Sequence, residues 1–270
     1  MHIIGEKING TRKQVAKAIA ERDAGFIQSL ARKQAEAGAH WLDVNAGTHP
    51  DREPDDLVWL IQTVQAVVEA PLCLDSANPH ALRVALREVR QTPLINSISG
   101  ETDRLTHVLP IVVEHGCEVI ALCMDGKGIP ATVEARRTVA RSLIAETRRA
   151  GVPDEKVYFD PLVMTIATNT DAGRVTLDTI RAVHAEFPNV HISLGLSNVS
   201  FGLPARGLIN RTFLALAVAA GMDAAIVDPL DRELKAALLA TELLLGRDRH
   251  CLTYTRAYRA GLLEPVKQVA

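Results

Sequence analysis

Four cysteines are scattered through 270 residues, and none stands in a CxxC spacing. Cys73, Cys117 and Cys123 lie in or beside apolar, strand-like runs, which points to reduced core thiols in a cytoplasmic protein rather than a thiolate zinc site. Long apolar runs are also missing. The longest, Phe213 to Ala220, stops at Gly221 and meets Asp223, too short to span a bilayer. The opening Met1-His2-Ile3-Ile4-Gly5-Glu6-Lys7 has no basic segment leading into an apolar one, so no signal peptide is expected. Charge of one sign is not in excess. A net charge of −2 gives no electrostatic reason to expect nucleic acid or a membrane surface as partner. The arginine pairs Arg136-Arg137 and Arg148-Arg149 fall within a helical pattern and read as solvated helix faces.

Several motifs of barrel chemistry are absent as well. No HxH follows a strand-like run, so clustered imidazole ligands are lacking and no metal is expected in this chain. Gly195-Leu196-Ser197-Asn198 has neither a GxGxxG nor a following Lys, which argues against a phosphate cradle. A Schiff-base aldolase needs a lysine at the carboxyl end of a strand. Lys156 stands at the start of one, and Lys7 is expected to pair with a strand-end carboxylate. His49, His107, His115 and His184 read as surface residues.

What is present is an ordinary globular composition, 47% apolar and 23% charged, carrying a repeated plan. A short apolar run ends in a polar residue, and an amphipathic helical stretch follows. Eight such strands are predicted, ending near Lys7, Asn45, Asp75, Asn96, Met124, Asp160, Ser197 and Asp228. Helices are predicted over 54–70, 132–150 and 234–245. Eight alternations without a composition break favour a single closed (β/α)8 TIM barrel over an open sheet. The barrel domain is expected over 1–250, with a tail over 251–270 packed on or beside it.

Strand-end Asp and Asn commonly cap helices. Here Asn78, Asp171 and Asp231 are available as caps, leaving Asp75, Asn96 and Asp160 free for a site at the carboxyl ends of the strands. A magnesium site built from Asp43, Asp75, Asp160 and Asp228 stays open, although Asn and Ser are mixed among them. Carboxylates accept N–H bonds and amides both donate and accept, so a flat heterocycle with an amidine-like edge is a natural fit.

Taken together, Leu74-Asp75-Ser76, Ile95-Asn96-Ser97, Phe159-Asp160-Pro161-Leu162 and Gly195-Leu196-Ser197-Asn198-Val199-Ser200 closely resemble the pterin-binding barrel family. Gly5-Glu6-Lys7-Ile8-Asn9 and Ile209-Asn210-Arg211-Thr212-Phe213-Leu214 are similar to its 5-methyltetrahydrofolate:corrinoid protein methyltransferases. The resemblance implies a homodimeric, cytoplasmic enzyme. It would move a methyl group between N5 of 5-methyltetrahydrofolate and the cobalt of a corrinoid, a cobalamin, on a separate protein docked over the barrel mouth. It also implies that Asp75, Asn96 and Asp160 hold the pterin ring, that Ser197 and Asn198 lie near N5, and that Asp43 lies at the pocket edge. Because a methyl on a tertiary amine is a poor electrophile, the expected catalytic set is Asn198 with Asp160 and Asp75, a network donating toward N5 that stabilises its cationic form. Arg206 is open to a surface, capping or ligand-tail role. Dihydropteroate synthases usually carry a Ser-Arg-Lys type motif where this chain has Ser197-Asn198-Val199, which argues against that activity. The alternatives are a non-catalytic folate- or pterin-binding module, a dihydropteroate-synthase-like enzyme and a magnesium–carboxylate barrel enzyme.

Overall fold

The computed structural model of this chain describes residues 1–263, so the last part of the expected tail, 264–270, lies outside the described residues. Eight strands form one sheet: β1 His2–Asn9, β2 Trp41–Asn45, β3 Leu72–Asp75, β4 Leu94–Gly100, β5 Glu118–Asp125, β6 Val157–Asp160, β7 His191–Ile192 and β8 Ala224–Val227. The hydrogen-bonded order is β7-β6-β5-β4-β3-β2-β1-β8, and every strand pairing is parallel. The chain closes the barrel just beyond β7. The Asp223 N–H donates to the Ile192 carbonyl at 3.2 Å, and the Ile226 N–H donates to the Leu194 carbonyl at 2.9 Å.

Between the strands run α1 Lys13–Glu21, α2 Ala24–Glu36, α3 Glu53–Gln65, α4 Pro79–Ala85, α5 Thr102–His107 and α6 Leu109–His115. They are followed by α7 Val133–Arg149, α8 Ala172–Glu186, α9 Arg206–Ala220, α10 Arg232–Leu244 and α11 Leu252–Arg259. Two apolar layers result from the period-two alternation of the strands. Ile4, Cys73, Leu94, Ile120, Tyr158 and Ala224 fill the inside of the barrel. Leu42, Val44, Leu74, Ile95, Val119 and Phe159 point the other way and form the much larger layer beneath the helices. Cys73, Cys117 and Cys123 are buried free thiols. Among the described residues no helix is long and apolar enough to cross a membrane.

Most predicted boundaries agree with these elements to within a few residues. Asn78 caps α4, accepting from the N–H groups of His80 and Ala81, and Asp231 caps α10 through Leu234 N–H. Asp171 is a correction. It occupies the position before α8 but accepts no helix N–H, and its carboxylate meets Arg174 instead. The strand expected to end at Ser197 stops at Ile192, because the chain bends at Gly195 into the 3-10 turn Leu196–Ser200. Arg136 corrects the solvated-face reading. It is 3% exposed, and its guanidinium donates to the carbonyls of Pro161 and Leu162 at 3.0 and 2.9 Å, pinning the loop after β6. Of the tail, α11 leaves Ala257 buried, and Gly261 takes a hydrogen bond from Arg232 on α10.

Candidate active site at the barrel mouth

The carboxyl ends of the strands bring the predicted polar residues onto one surface. On β2, Asp43 and Asn45 share a face through the period of two, and Asn45 Nδ2 donates to Asp75 Oδ2 at 2.9 Å. Cα pairing sets Asp75 beside Asn96. Across the barrel, Asp160 is held in place by two backbone donors. Leu162 N–H reaches Oδ1 at 2.7 Å and Gly195 N–H reaches Oδ2 at 3.2 Å. That second bond ties β6 to the turn bearing Ser197 and Asn198. A Cβ on Gly195 would lie 3.2 Å from Asn198 Nδ2, so the glycine leaves room for the amide. Asn198 is exposed.

Burial dominates the electrostatics of this mouth. It pushes the Asp43 carboxyl well above the ordinary range, and the neighbouring Asp75 adds to the rise while the Cys73 thiol and Asn96 amide oppose it. Asp75 is raised by burial against the stabilising bond from Asn45. Glu6 is raised by burial, with Arg12 countering. Asp160 is pushed up to about 6 by burial, with the Leu162 and Gly195 N–H groups and Arg136 holding it down. Several carboxyl groups therefore share one low-dielectric surface, each with its ionised form costly until a ligand supplies donors.

Unpartnered atoms mark where such donors belong. Among the described residues, Asp43 Oδ1, Asn45 Oδ1 and Thr48 Oγ1 are buried side-chain oxygens without a hydrogen-bond partner. Acceptors outnumber donors here, so the surface suits a molecule that brings N–H groups. Asp228 is engaged elsewhere: Lys7 Nζ contacts its Oδ2 at 2.6 Å and Leu230 N–H its Oδ1 at 3.0 Å. The pairing expected of Lys7 is thus observed. Lys156 sits at the opposite end of β6, with Nζ on the Gly116 carbonyl. Asp125 Oδ1 takes the Lys127 N–H and forms its local turn. Among the described residues no group of three or more His, Cys, Asp or Glu is arranged to hold a metal ion.

Sequence reading singled out Asp43, Asp75, Asn96, Asp160, Ser197 and Asn198, and all of them lie at this end of the barrel. It missed Asn45 and Glu6. The signal for Asn45 was available, since it stands two residues beyond Asp43 on one strand. Glu6 was hidden by a change of face within β1. His49, His107, His115 and His184 are exposed as expected.

A family model described as pterin binding enzyme matches residues 5–228. A Methylcorrinoid:tetrahydrofolate methyltransferase of Eubacterium limosum is 40% identical over 269 residues, covering 99% of each chain. Methionine synthase of Mycobacterium leprae (strain TN) is 34% identical over 238 residues, which span 83% of this chain and 20% of that protein. The solved structure of Yersinia pestis DHPS with a pterine-sulfa conjugate superposes with a TM-score of 0.67 over 91% of this chain and 93% of that one, at 16% identity, a likeness of fold.

Proposed function

This chain belongs to the pterin-binding enzyme family, and from that premise we propose that it is a methyltransferase acting between tetrahydrofolate and a corrinoid carried by a separate protein. The observation that carries the pterin part is the pair of buried acceptors Asp43 Oδ1 and Asn45 Oδ1, without a partner among the described residues, on the strand beside Asp75. A pterin offers a 2-amino group and an N3–H along one edge, and carboxylates with an amide can accept from both. The methyl-transfer part is supported by the full-length similarity to a protein named Methylcorrinoid:tetrahydrofolate methyltransferase.

In the direction of that name, the N5 lone pair attacks the methyl carbon and the carbon–cobalt bond breaks with its electrons staying on the metal. N5 then carries positive charge until its proton leaves. In the reverse direction N5 must gain that charge before its methyl departs. Both directions pass through a cationic N5. Asn198 is the residue for it, since its amide presents a donor to the lone pair and an acceptor to the N–H of the charged form. Asp75 and Asp160 anchor the ring, and their ionised forms, near but not on N5, favour the charge. Asp43 and Ser197 complete the edge of the pocket.

The corrinoid protein meets the rim of the mouth, where Phe201, Met164 and Ile129 are exposed. Two copies of the chain pair as a homodimer, which the exposed Leu208 and Leu216 of α9 support, and the reduced buried cysteines suit the cytoplasm. Titration of tetrahydrofolate into the protein, followed calorimetrically, tests the site. One molecule is expected to bind per chain, and Asp75→Ala is expected to weaken binding by at least about tenfold, the loss of one charge-assisted contact. Unchanged affinity in Asp75→Ala would remove the pterin edge from this surface.

A further inference from the structure

The 3-10 turn Leu196–Ser200 carries Asn198, yet its own backbone holds it loosely. The Asn198 N–H reaches the Gly195 carbonyl at 3.3 Å, and the Phe201 N–H reaches the Asn198 carbonyl at 3.2 Å. Stronger bonds come from the start of α9. Ser200 has no exposed surface, and its Oγ donates to Asn210 Oδ1 at 2.7 Å while receiving Arg206 Nε at 3.0 Å. The same guanidinium donates to the Ser197 carbonyl at 2.7 Å and lies 5.6 Å from the centre of the Phe201 ring. Arg206 thus grips residues on both sides of Asn198.

This placement works against α9. Arg206 is its first residue, where a positive charge opposes the helix dipole. The chain enters through Ala205 at φ 50° and ψ 40°, the left-handed region that a side-chain-bearing residue occupies at a cost. Ala205, at the cap position, has no side chain able to accept a helix N–H. Each of these choices is unfavourable for the helix, and together they set the fork of Arg206 beneath the turn. On the turn's other flank, Gly195 is fastened to Asp160. The segment bearing Asn198 is therefore clamped between Asp160 and Arg206.

We propose that Arg206, acting with Ser200 and Asn210, is a positioning unit for methyl transfer, one that holds the turn from which Asn198 presents its amide to N5. The inference rests on the methyltransferase reading above. A misplacement of about 1 Å at a reacting geometry costs up to about 10²-fold in rate, and Arg206→Ala is expected to lower the transfer rate at saturating folate on that scale. Folate affinity should stay within about twofold, because the ring-holding carboxylates are untouched. Arg206→Lys should rescue little, since one ammonium cannot reach both Ser197 O and Ser200 Oγ. In an Asn198→Ala background Arg206→Ala should cost nothing further.

Rates of wild type, Arg206→Ala, Arg206→Lys, Ser200→Ala and the double variant are compared, with thermal unfolding confirming that each is folded. A second readout needs no turnover: the side-chain amide resonance of Asn198, assigned by its disappearance in Asn198→Ala, should shift or broaden in Arg206→Ala and in Ser200→Ala. Additive losses in the double variant, or weaker folate binding at an intact saturated rate, would overturn the positioning role. An unmoved Asn198 amide would overturn it too. A wild type that binds folate but transfers no methyl sinks the methyltransferase reading instead, and the amide resonance still decides the clamp.

Discussion

At the residue scale, Asp160 is the group whose charge the proposed pterin contact needs. Burial pushes its carboxyl up to about 6, outweighing the two backbone donors that hold it. Binding a ring edge through N–H groups requires the ionised carboxylate, so bound pterin should pull this pKa down and release a proton below pH 6. The sign follows from linkage: affinity is steady above about pH 6 and falls by up to about tenfold per unit below it. Calorimetric titration of tetrahydrofolate from pH 8 to pH 5 should show that step, and Asp160→Asn should flatten it. A wild-type affinity that stays level to pH 5 would separate Asp160 from the ligand. The identity of this residue was legible in the sequence, as the polar end of Val157-Tyr158-Phe159-Asp160. Its partners were not. Leu162 N–H reaches it in a local turn two residues on, but Gly195 reaches it only once the chain has passed through β7, 35 residues away.

At the element scale, β1 explains why Glu6 was not foreseen. Strict alternation would put Ile4 and Ile8 on the same face, yet Ile4 lies inside the barrel and Ile8 beneath the helices. The register of β1 against β2 shifts between Gly5 and Ile8, and that irregularity supplies the change of face. It turns Lys7 toward Asp228 and leaves the Lys7 N–H outside the ladder. Gln34 of α2 repairs the loss, its Oε1 accepting that N–H at 3.0 Å. Gly5 makes room for this, since a Cβ there would lie 2.6 Å from the same oxygen. Gln34→Leu keeps the volume but orphans a half-buried donor while also removing Gln34 Nε2, a buried donor without a partner among the described residues, and should lower stability by about 1 kcal/mol in urea unfolding. An unchanged unfolding midpoint would mean that the irregularity needs no support from α2. Regular elements fared better: Asn78-Pro79 and Asp231 announced their helices because capping is local. Irregularities such as the β1 shift and the short β7 depend on neighbours distant in sequence, and no local pattern encodes them.

For the whole molecule, eight strand–helix alternations build a parallel barrel, and the barrel brings the polar strand ends together at one mouth. The opposite end shows what periodicity left unread. His2, His40 and His191 gather there around Trp41 and Tyr158, with His191 Nδ1 2.6 Å from Asp223 Oδ2. Scattered through the sequence, these histidines carry no spacing signal, and only barrel closure unites them. The mouth was more legible because its residues recur at equivalent places on successive strands. Asp75, Asn96 and Asp160 follow one rule, and Asn198 follows it one turn later. The central claim is that this mouth moves a methyl group. It is tested most directly by mixing the protein with 5-methyltetrahydrofolate and chemically reduced cob(I)alamin and following the cobalamin spectrum, wild type beside Asn198→Ala. The account predicts conversion to methylcobalamin by the wild type and a rate lower by about 10²-fold or more in the variant, which still binds folate. Equal rates in the two proteins would contradict the role of Asn198, and a wild type that binds folate without any spectral change would contradict the claim itself.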